Sequence, residues 1–105
     1  MRLHSTMKDE LPSSFSREMG LTAREFLRTL PAAIAPLTYS QDQGKVHIAH
    51  PAGTILIELH EAGSRKIASL CLPVTRVDFH FTGLDRVQRS TFMDRFDLCF
   101  HRGGG

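Results

Sequence analysis

Histidines and carboxylates recur between apolar residues through the middle of this 105-residue sequence. The segment HPAGTILIELHEAG places His50 and His60 at the start of two similar runs, HPAG and HEAG. Imidazole nitrogens and carboxylate oxygens are ligands of zinc and of related divalent metal ions. A metal site would require several of these side chains to meet at one point.

The two similar runs are interpreted as turns. Proline presets the backbone of the first turn position, and glycine accepts the positive φ that other residues resist. A strand rises about 3.3 Å per residue, so the strand between two such turns would separate His50 from His60 by more than roughly 20 Å. These two histidines cannot share one metal ion. Any histidine site must therefore be built across neighbouring strands.

The residues around the first turn alternate with a period of two, which is typical of β-strands. A loop at Pro51-Ala52 predicts a hairpin with three facing pairs: His50 with Gly53, Ile48 with Ile55, and Val46 with Ile57. This register puts the β-branched aliphatic side chains on one face. Side chains that alternate with these aliphatic residues, or with Phe79 and Phe81 of a later strand, lie on the opposite, outer face. The candidate binding residues on that face are His47, Leu56, Glu58, His60, Asp78 and His80.

Two imidazoles and a carboxylate on that face could bind zinc, but solvated sheet faces commonly carry the same residue types. The order of the strands decides between the two interpretations, and it cannot be read from the sequence. Catalytic residues are not assigned, because the sequence has no serine elbow, no recognisable Cys-His spacing and no glycine-rich phosphate loop. The leading interpretation accordingly includes no metal and no cofactor.

The composition narrows the class of protein. Hydrophobic residues make up 41% and charged residues 23% of the chain, as in ordinary globular domains. The net charge is only +2, and acidic residues interrupt the basic clusters, so we expect neither a nucleic-acid nor a membrane partner. The first residues lack the apolar segment of a signal peptide, which favours a cytoplasmic protein. Cys71 and Cys99 lie among apolar residues and are expected to be buried thiols.

Capping signals and periodicity predict the elements that position the outer face. Residues 1–20 are polar and aperiodic, which indicates a mobile N-terminal arm. Thr22 and Glu25 form a capping box that starts a helix, and Pro31 is expected to halt or kink it. Four strands are predicted next. The third lies in RKIASLCL and the fourth in TRVDFHF. A turn or a bulge is expected between them, because the apolar residues change there from even-numbered to odd-numbered positions.

A second helix is predicted from an N-cap at Asp85, with Gln88 at the capping-box position. Its buried stripe recurs every four residues, at Leu84, Gln88, Phe92, Phe96 and Phe100. Residues 102–105 are expected to form a glycine tail. The predicted fold is a single α+β domain over residues 21–101: a two-layer sandwich with a four-stranded antiparallel meander and an N-terminal and a C-terminal helix on one face, in the order α-β-β-β-β-α.

The leading functional interpretation is a small non-catalytic binding or protein-interaction module that self-associates as a homodimer. Leu56 and one of Ile67 and Leu70 would add apolar area to an outer face rimmed by polar groups. A metal- or small-ligand-binding domain using the outward histidines is the alternative, and an enzyme of unidentified class stays open. The terminal glycines resemble the Gly-Gly end of sulfur-carrier and ubiquitin-like proteins over two or three residues only, and those folds begin with a hairpin.

Overall fold

A computed structural model describes residues 11–104 of the chain. Within this range the elements are β1 (Ser14–Met19), α1 (Ala23–Ile34), β2 (Tyr39–Asp42), β3 (Lys45–His50), β4 (Gly53–Ile67), β5 (Leu70–Thr82) and α2 (Arg86–Gly104). The strands form one antiparallel sheet in the order β1-β5-β4-β3-β2. Neither helix in the described range is long and apolar enough to cross a lipid bilayer.

Both helices pack on one face of the sheet, called here the inner face, so the predicted two-layer α+β architecture is confirmed. Phe96 of α2 contacts Phe26 of α1, with ring centroids 5.8 Å apart, and meets Phe79 of β5 edge-on at 5.2 Å. All three rings are fully buried. The hydrophobic core is therefore the layer between the inner sheet face and the two helices.

The sheet has five strands, and the prediction of four is wrong. Strands β2 to β5 form the meander, and β1 pairs with β5 at the sheet edge. The prediction of a mobile arm over residues 1–20 is therefore wrong for residues 14–19, because Phe15 stacks on Phe79 with 4.9 Å between ring centroids. Residues 1–10 of that predicted arm lie outside the described residues.

The first predicted hairpin is confirmed in register, since Val46 pairs with Ile57 and Ile48 with Ile55. β2 was not anticipated, because its four residues are all exposed and carry no buried alternation. β2 pairs with β3, and the two strands are joined by a turn at Gln43 and Gly44, which have positive φ angles of 51° and 80°. A two-residue turn of this kind matches the right-handed twist of the flanking strands.

HPAG is a turn as predicted, whereas the prediction of a turn at HEAG is wrong. β4 runs through this segment, and Ala62 and Gly63 together lie opposite Val74 alone, which is a β-bulge. The glycine adopts the positive φ of 92° there. The predicted third strand is instead the end of a long hairpin, in which β4 stops at Ile67 and β5 begins at Leu70.

The end of this hairpin is named the hairpin arm and consists of residues 64–67 and 70–73, which pair only with each other in the described part of the chain. β5 continues without interruption from the arm into the body of the sheet. By strand parity, Leu70 and Leu72 lie on the same side of β5 as Asp78. The apolar residues change from even-numbered to odd-numbered positions because Leu70 and Leu72 lie on the outer side of β5, and the later apolar residues of the same strand lie on its inner side.

Both helices begin at the predicted residues. Thr22 and Glu25 exchange side-chain to backbone hydrogen bonds of 2.9 and 3.1 Å, and Asp85 and Gln88 do the same at 2.8 Å. α1 continues through Pro31 to Ile34, because one missing backbone donor does not end the helix. α2 reaches Gly104, through most of the predicted glycine tail, and Gly105 lies outside the described residues.

Candidate metal centre

The outer face of the sheet, opposite the helices, carries the candidate site. Glu58 of β4 pairs directly with Asp78 of β5. His60 follows Glu58 two residues along β4, and His80 follows Asp78 two residues along β5, so all four side chains point to the same side. These four residues are named the outer-face cluster.

Three side chains of the cluster converge on a small volume. Nε2 of His60 lies 3.2 Å from Oδ2 of Asp78 and 3.9 Å from Oε1 of Glu58. One ligand atom from each of these three residues lies within 4.8 Å of the other two. Nε2 of His80 approaches from the other side, 3.7 Å from Oε1 of Glu58. The sheet therefore directs two imidazoles and two carboxylates toward one region.

Residues outside the cluster hold the remaining polar atoms of its side chains. Oδ1 of Asp78 accepts a hydrogen bond of 2.6 Å from the hydroxyl of Ser16 and lies 3.3 Å from Nε of Arg76. Nδ1 of His80 is hydrogen-bonded to the hydroxyl of Ser14 at 3.1 Å. Each of these contacts leaves the other polar atom, Oδ2 or Nε2, directed into the cluster. Partners of this kind orient the ligands of protein metal sites.

The two carboxylates at the centre of the cluster face each other across a strand pair, which is unfavourable when both are ionised. The hydrogen bond from Ser16 lowers the pKa of Asp78, and the charges of Arg76 and His60 lower it further, against an opposing effect of partial burial. Lys45 places its Nζ 3.8 Å from Oε2 of Glu58. The side chains of Glu58 and Asp78 are only 24% and 15% exposed. The cluster thus holds carboxylate charge in a partly desolvated place.

Two of the predicted binding residues stay outside the cluster. Leu56 pairs with His47 on one side and with His80 on the other. It therefore separates the two imidazoles, and His47 instead lines a shallow surface depression with Ser40 and Thr54. Leu56 itself is half-buried, and polar pairs flank it along β4. By strand alternation all six residues lie on the outer face, but the ligand atoms of only Glu58, His60 and Asp78 converge, and His80 lies beside Glu58.

Sequence reasoning did not identify Ser14, Ser16, Lys45 and Arg76 as residues of this site. The two serines lie on β1, the strand assigned to the arm. Their signal in the sequence is the alternation of Ser14, Phe15, Ser16 and Arg17, which is short but has the period of a strand. Recognising it would have placed two hydroxyls on the same face as the histidines.

The imidazole and carboxylate groups of the cluster are ligand types that suit zinc and its neighbours among the divalent ions. Comparison of the chain with protein-family models, with curated proteins and with solved structures finds no match. The function must therefore be inferred from the geometry and the chemistry of the site.

Proposed function

We propose that this chain is a small binding domain whose outer-face cluster binds a divalent transition-metal ion of the zinc class. The observation that carries the proposal is the convergence of Glu58, His60 and Asp78, whose ligand atoms lie within 4.8 Å of one another. Ligands held about 2.0–2.1 Å from a tetrahedral ion lie roughly 3.3 Å apart. The distances of 3.2 and 3.9 Å from His60 to the two carboxylates are close to that value.

His80 is the fourth ligand in this proposal. Its Nε2 lies 3.7 Å from Oε1 of Glu58, and Ser14 engages the other ring nitrogen. Arg76 contacts Oδ1 of Asp78, and Lys45 approaches Oε2 of Glu58. The oxygens that face His60 are the other two, Oδ2 and Oε1, so a metal ion can be bound without displacing either basic side chain.

A cation at this point also removes an electrostatic cost of the fold. Glu58 and Asp78 are directly opposite in register, and like charges in such pairs destabilise a sheet. Imidazoles ligate metals only when neutral, so the metal affinity is expected to fall in acid, where protons compete with the ion. The proposal thus predicts both a preferred ion class and the direction of the pH dependence of binding.

Isothermal titration calorimetry with zinc chloride tests the proposal on protein purified without a histidine tag. The wild-type chain is expected to bind one equivalent of zinc at pH 7.5. His60→Gln and Asp78→Asn should each weaken binding at least tenfold, because each removes a ligand. His47→Gln is the matched control, since it removes an imidazole from the same face but outside the cluster, and it should leave the affinity unchanged.

Two results would contradict the metal proposal. One is the absence of saturable zinc binding by the wild-type chain. The other is an equal loss of affinity in His47→Gln and His60→Gln, which would indicate dispersed binding by surface imidazoles. Circular dichroism of each variant checks that the fold is retained, so that a loss of binding reports on the site.

Self-association is a second candidate function, and the hairpin arm favours it. Leu70 is 61% and Leu72 is 39% exposed, on the outer side of β5. Leu70 and Leu72 therefore offer more exposed apolar surface on the outer face than Leu56, which is half-buried. The outward backbone edges of the arm have no strand partner in the described part of the chain. We propose that a second copy of the chain covers the arm in a two-fold homodimer.

We also propose the cytoplasmic location that the sequence predicts. The prediction of buried thiols is wrong for Cys71, which is exposed in the hairpin arm, while Cys99 is half-buried. Cys71 alternates with Leu70 and Leu72 along β5, so its thiol lies on the other side of the hairpin arm. An accessible free thiol is compatible with the reducing conditions of the cytoplasm.

A further inference from the structure

A groove lies on the helix side of the sheet, away from the outer-face cluster. Its walls are the end of α1, the loop at residues 35–37 and one side of α2, and its volume is about 380 Å³. Ile34 and Phe92, both buried core residues, form part of the lining, and Val87 lies at the surface. This volume is within the range of about 300–1,000 Å³ that is typical of sites for small organic ligands.

The lining combines apolar surface with a few hydrogen-bond donors. The guanidinium of Arg95 donates from Nη2 to the backbone carbonyl of Ala32 at 3.3 Å, which holds it beside the end of α1, and a guanidinium carries further N–H groups besides this one. Nδ1 of His50 accepts a hydrogen bond of 3.0 Å from the backbone N–H of Ala52. The proton of the neutral ring is then on Nε2, which makes this second nitrogen a donor.

Gln88 adds a third donor by the same reasoning. Its Oε1 accepts from the backbone N–H of Asp85 at 2.8 Å, so the amide N–H₂ is the remaining polar group of the side chain. None of the eleven residues that line the groove is acidic. A guanidinium and two neutral donors around an apolar wall favour an anion with an apolar body, since an ionised acceptor makes the strongest hydrogen bonds with such donors.

We infer that this groove binds a small amphipathic carboxylate, with its apolar part between the loop at residues 35–37 and α2 and its carboxylate on Arg95. The inference does not depend on the metal proposal, because the groove and the outer-face cluster lie on opposite sides of the sheet. Carboxylate recognition by a guanidinium is geometrically specific, since its planar donors match the two oxygens. The site therefore selects ligands by charge as well as by size.

Octanoate is the test ligand, and octan-1-ol is its neutral counterpart. In two-dimensional amide NMR of the ¹⁵N-labelled chain, octanoate should cause saturable shifts at His50 and Thr91, and octan-1-ol should bind at least fivefold more weakly. Arg95→Gln should weaken octanoate binding about tenfold, the equivalent of one charge-assisted hydrogen bond, and leave octan-1-ol binding unchanged. Thr91→Trp should abolish binding of both ligands by filling the groove.

Leu98→Trp is the matched control for added bulk, because Leu98 is an exposed residue of the same helix outside the groove. It should bind octanoate as the wild type does. Shifts dispersed over the whole surface, or octanoate binding retained by both Thr91→Trp and Arg95→Gln, would overturn the inference. Equal affinities for octanoate and octan-1-ol would overturn the assignment of a carboxylate ligand. If Thr91→Trp does not fold, the ratio of the two affinities in Arg95→Gln still decides.

Discussion

The hydroxyl of Ser16 on the edge strand β1 donates a hydrogen bond of 2.6 Å to the carboxylate of Asp78 on β5. This contact connects the strand that begins the sheet to the centre of the outer-face cluster. It is also the largest cause of the lowered pKa of Asp78. The edge strand thus contributes to the electrostatics of the candidate site as well as to the sheet.

Replacing Ser16 by alanine is expected to destabilise the chain in a pH-dependent way. A carboxyl group whose pKa is lowered by folding contributes stability above its unfolded-state pKa, and this contribution disappears as the pH falls through the folded-state value. Ser16→Ala should therefore cost about 1 kcal/mol at pH 7, and the difference from wild type should shrink once the pH falls below 3.8.

Urea unfolding at pH 7 and pH 3 measures this difference. Ser40→Ala, an exposed serine on the opposite edge strand β2, is the control and should be close to neutral at both pH values. A loss of stability in Ser16→Ala that is the same at pH 7 and pH 3 would show that the effect does not come from the ionised form of Asp78.

Deleting residues 1–19 is expected to destabilise the chain strongly. If the domain began at residue 21 the deletion would be harmless, but it removes β1 and with it the Phe15 ring that stacks on Phe79 and Phe81. It also removes the ion pair between Arg17 of β1 and Asp97 of α2. Thermal unfolding followed by circular dichroism should show a large drop in Tm.

A point variant separates the role of the Phe15 ring from that of the whole strand. Phe15→Ala should cost about 2 kcal/mol, below the 3–5 kcal/mol typical of a fully buried phenylalanine, because the residue is half-buried. Phe15→Leu keeps apolar contact and should lose less than half of that. A near-neutral Phe15→Ala would mean that β1 is held by its backbone pairing alone.

The register of β3 and β4 could be predicted because two independent signals agree there. The length of the loop after His50 and the alternation of aliphatic residues both require Val46 opposite Ile57. β1 carries no such agreement, since its inward residues are Phe15, Arg17 and Met19, and its partner lies more than fifty residues along the chain. The short alternation of β1 therefore does not reveal which strand it pairs with.

The bulge at HEAG could not be told from a turn for a related reason. Gly63 adopts a positive φ in the bulge, which is also the property that glycine provides in a turn. The face of each cluster residue followed from strand alternation. Their meeting did not, because Glu58 faces Asp78 only if β4 and β5 are neighbours, and strand order is set by the packing of the whole sheet.

Phe96→Ala is expected to be among the most destabilising single substitutions, at roughly 3–5 kcal/mol. The ring is fully buried and contacts four other phenylalanines, which are Phe26, Phe79, Phe92 and Phe100. Its removal leaves a cavity between both helices and the sheet. Leu98→Ala, two residues away on the exposed side of α2, should stay within about 0.5 kcal/mol of wild type.

Chemical unfolding of the two α2 variants, compared with wild type, measures the difference. A cost below about 1 kcal/mol for Phe96→Ala would mean that the core can close around the missing ring. A comparable cost for Leu98→Ala would show that the other side of α2 is also covered.

The homodimer proposal predicts a mass that depends on the hairpin arm. Leu70 and Leu72 form its exposed apolar side, and association that covers them removes apolar area from water. Multi-angle light scattering at micromolar concentration should give about twice the monomer mass of 11.8 kDa at pH 7.5. The double variant Leu70→Ser, Leu72→Ser should return the chain to the monomer mass without a loss of secondary structure.

Leu98→Ser is the control for this last experiment, because it removes a comparably exposed leucine from the helix side of the molecule. It should leave the mass of the dimer unchanged. A mass of 11.8 kDa for the wild type at pH 7.5, independent of concentration, would rule out the dimer. A dimer that persists in the double variant would place the interface away from the hairpin arm.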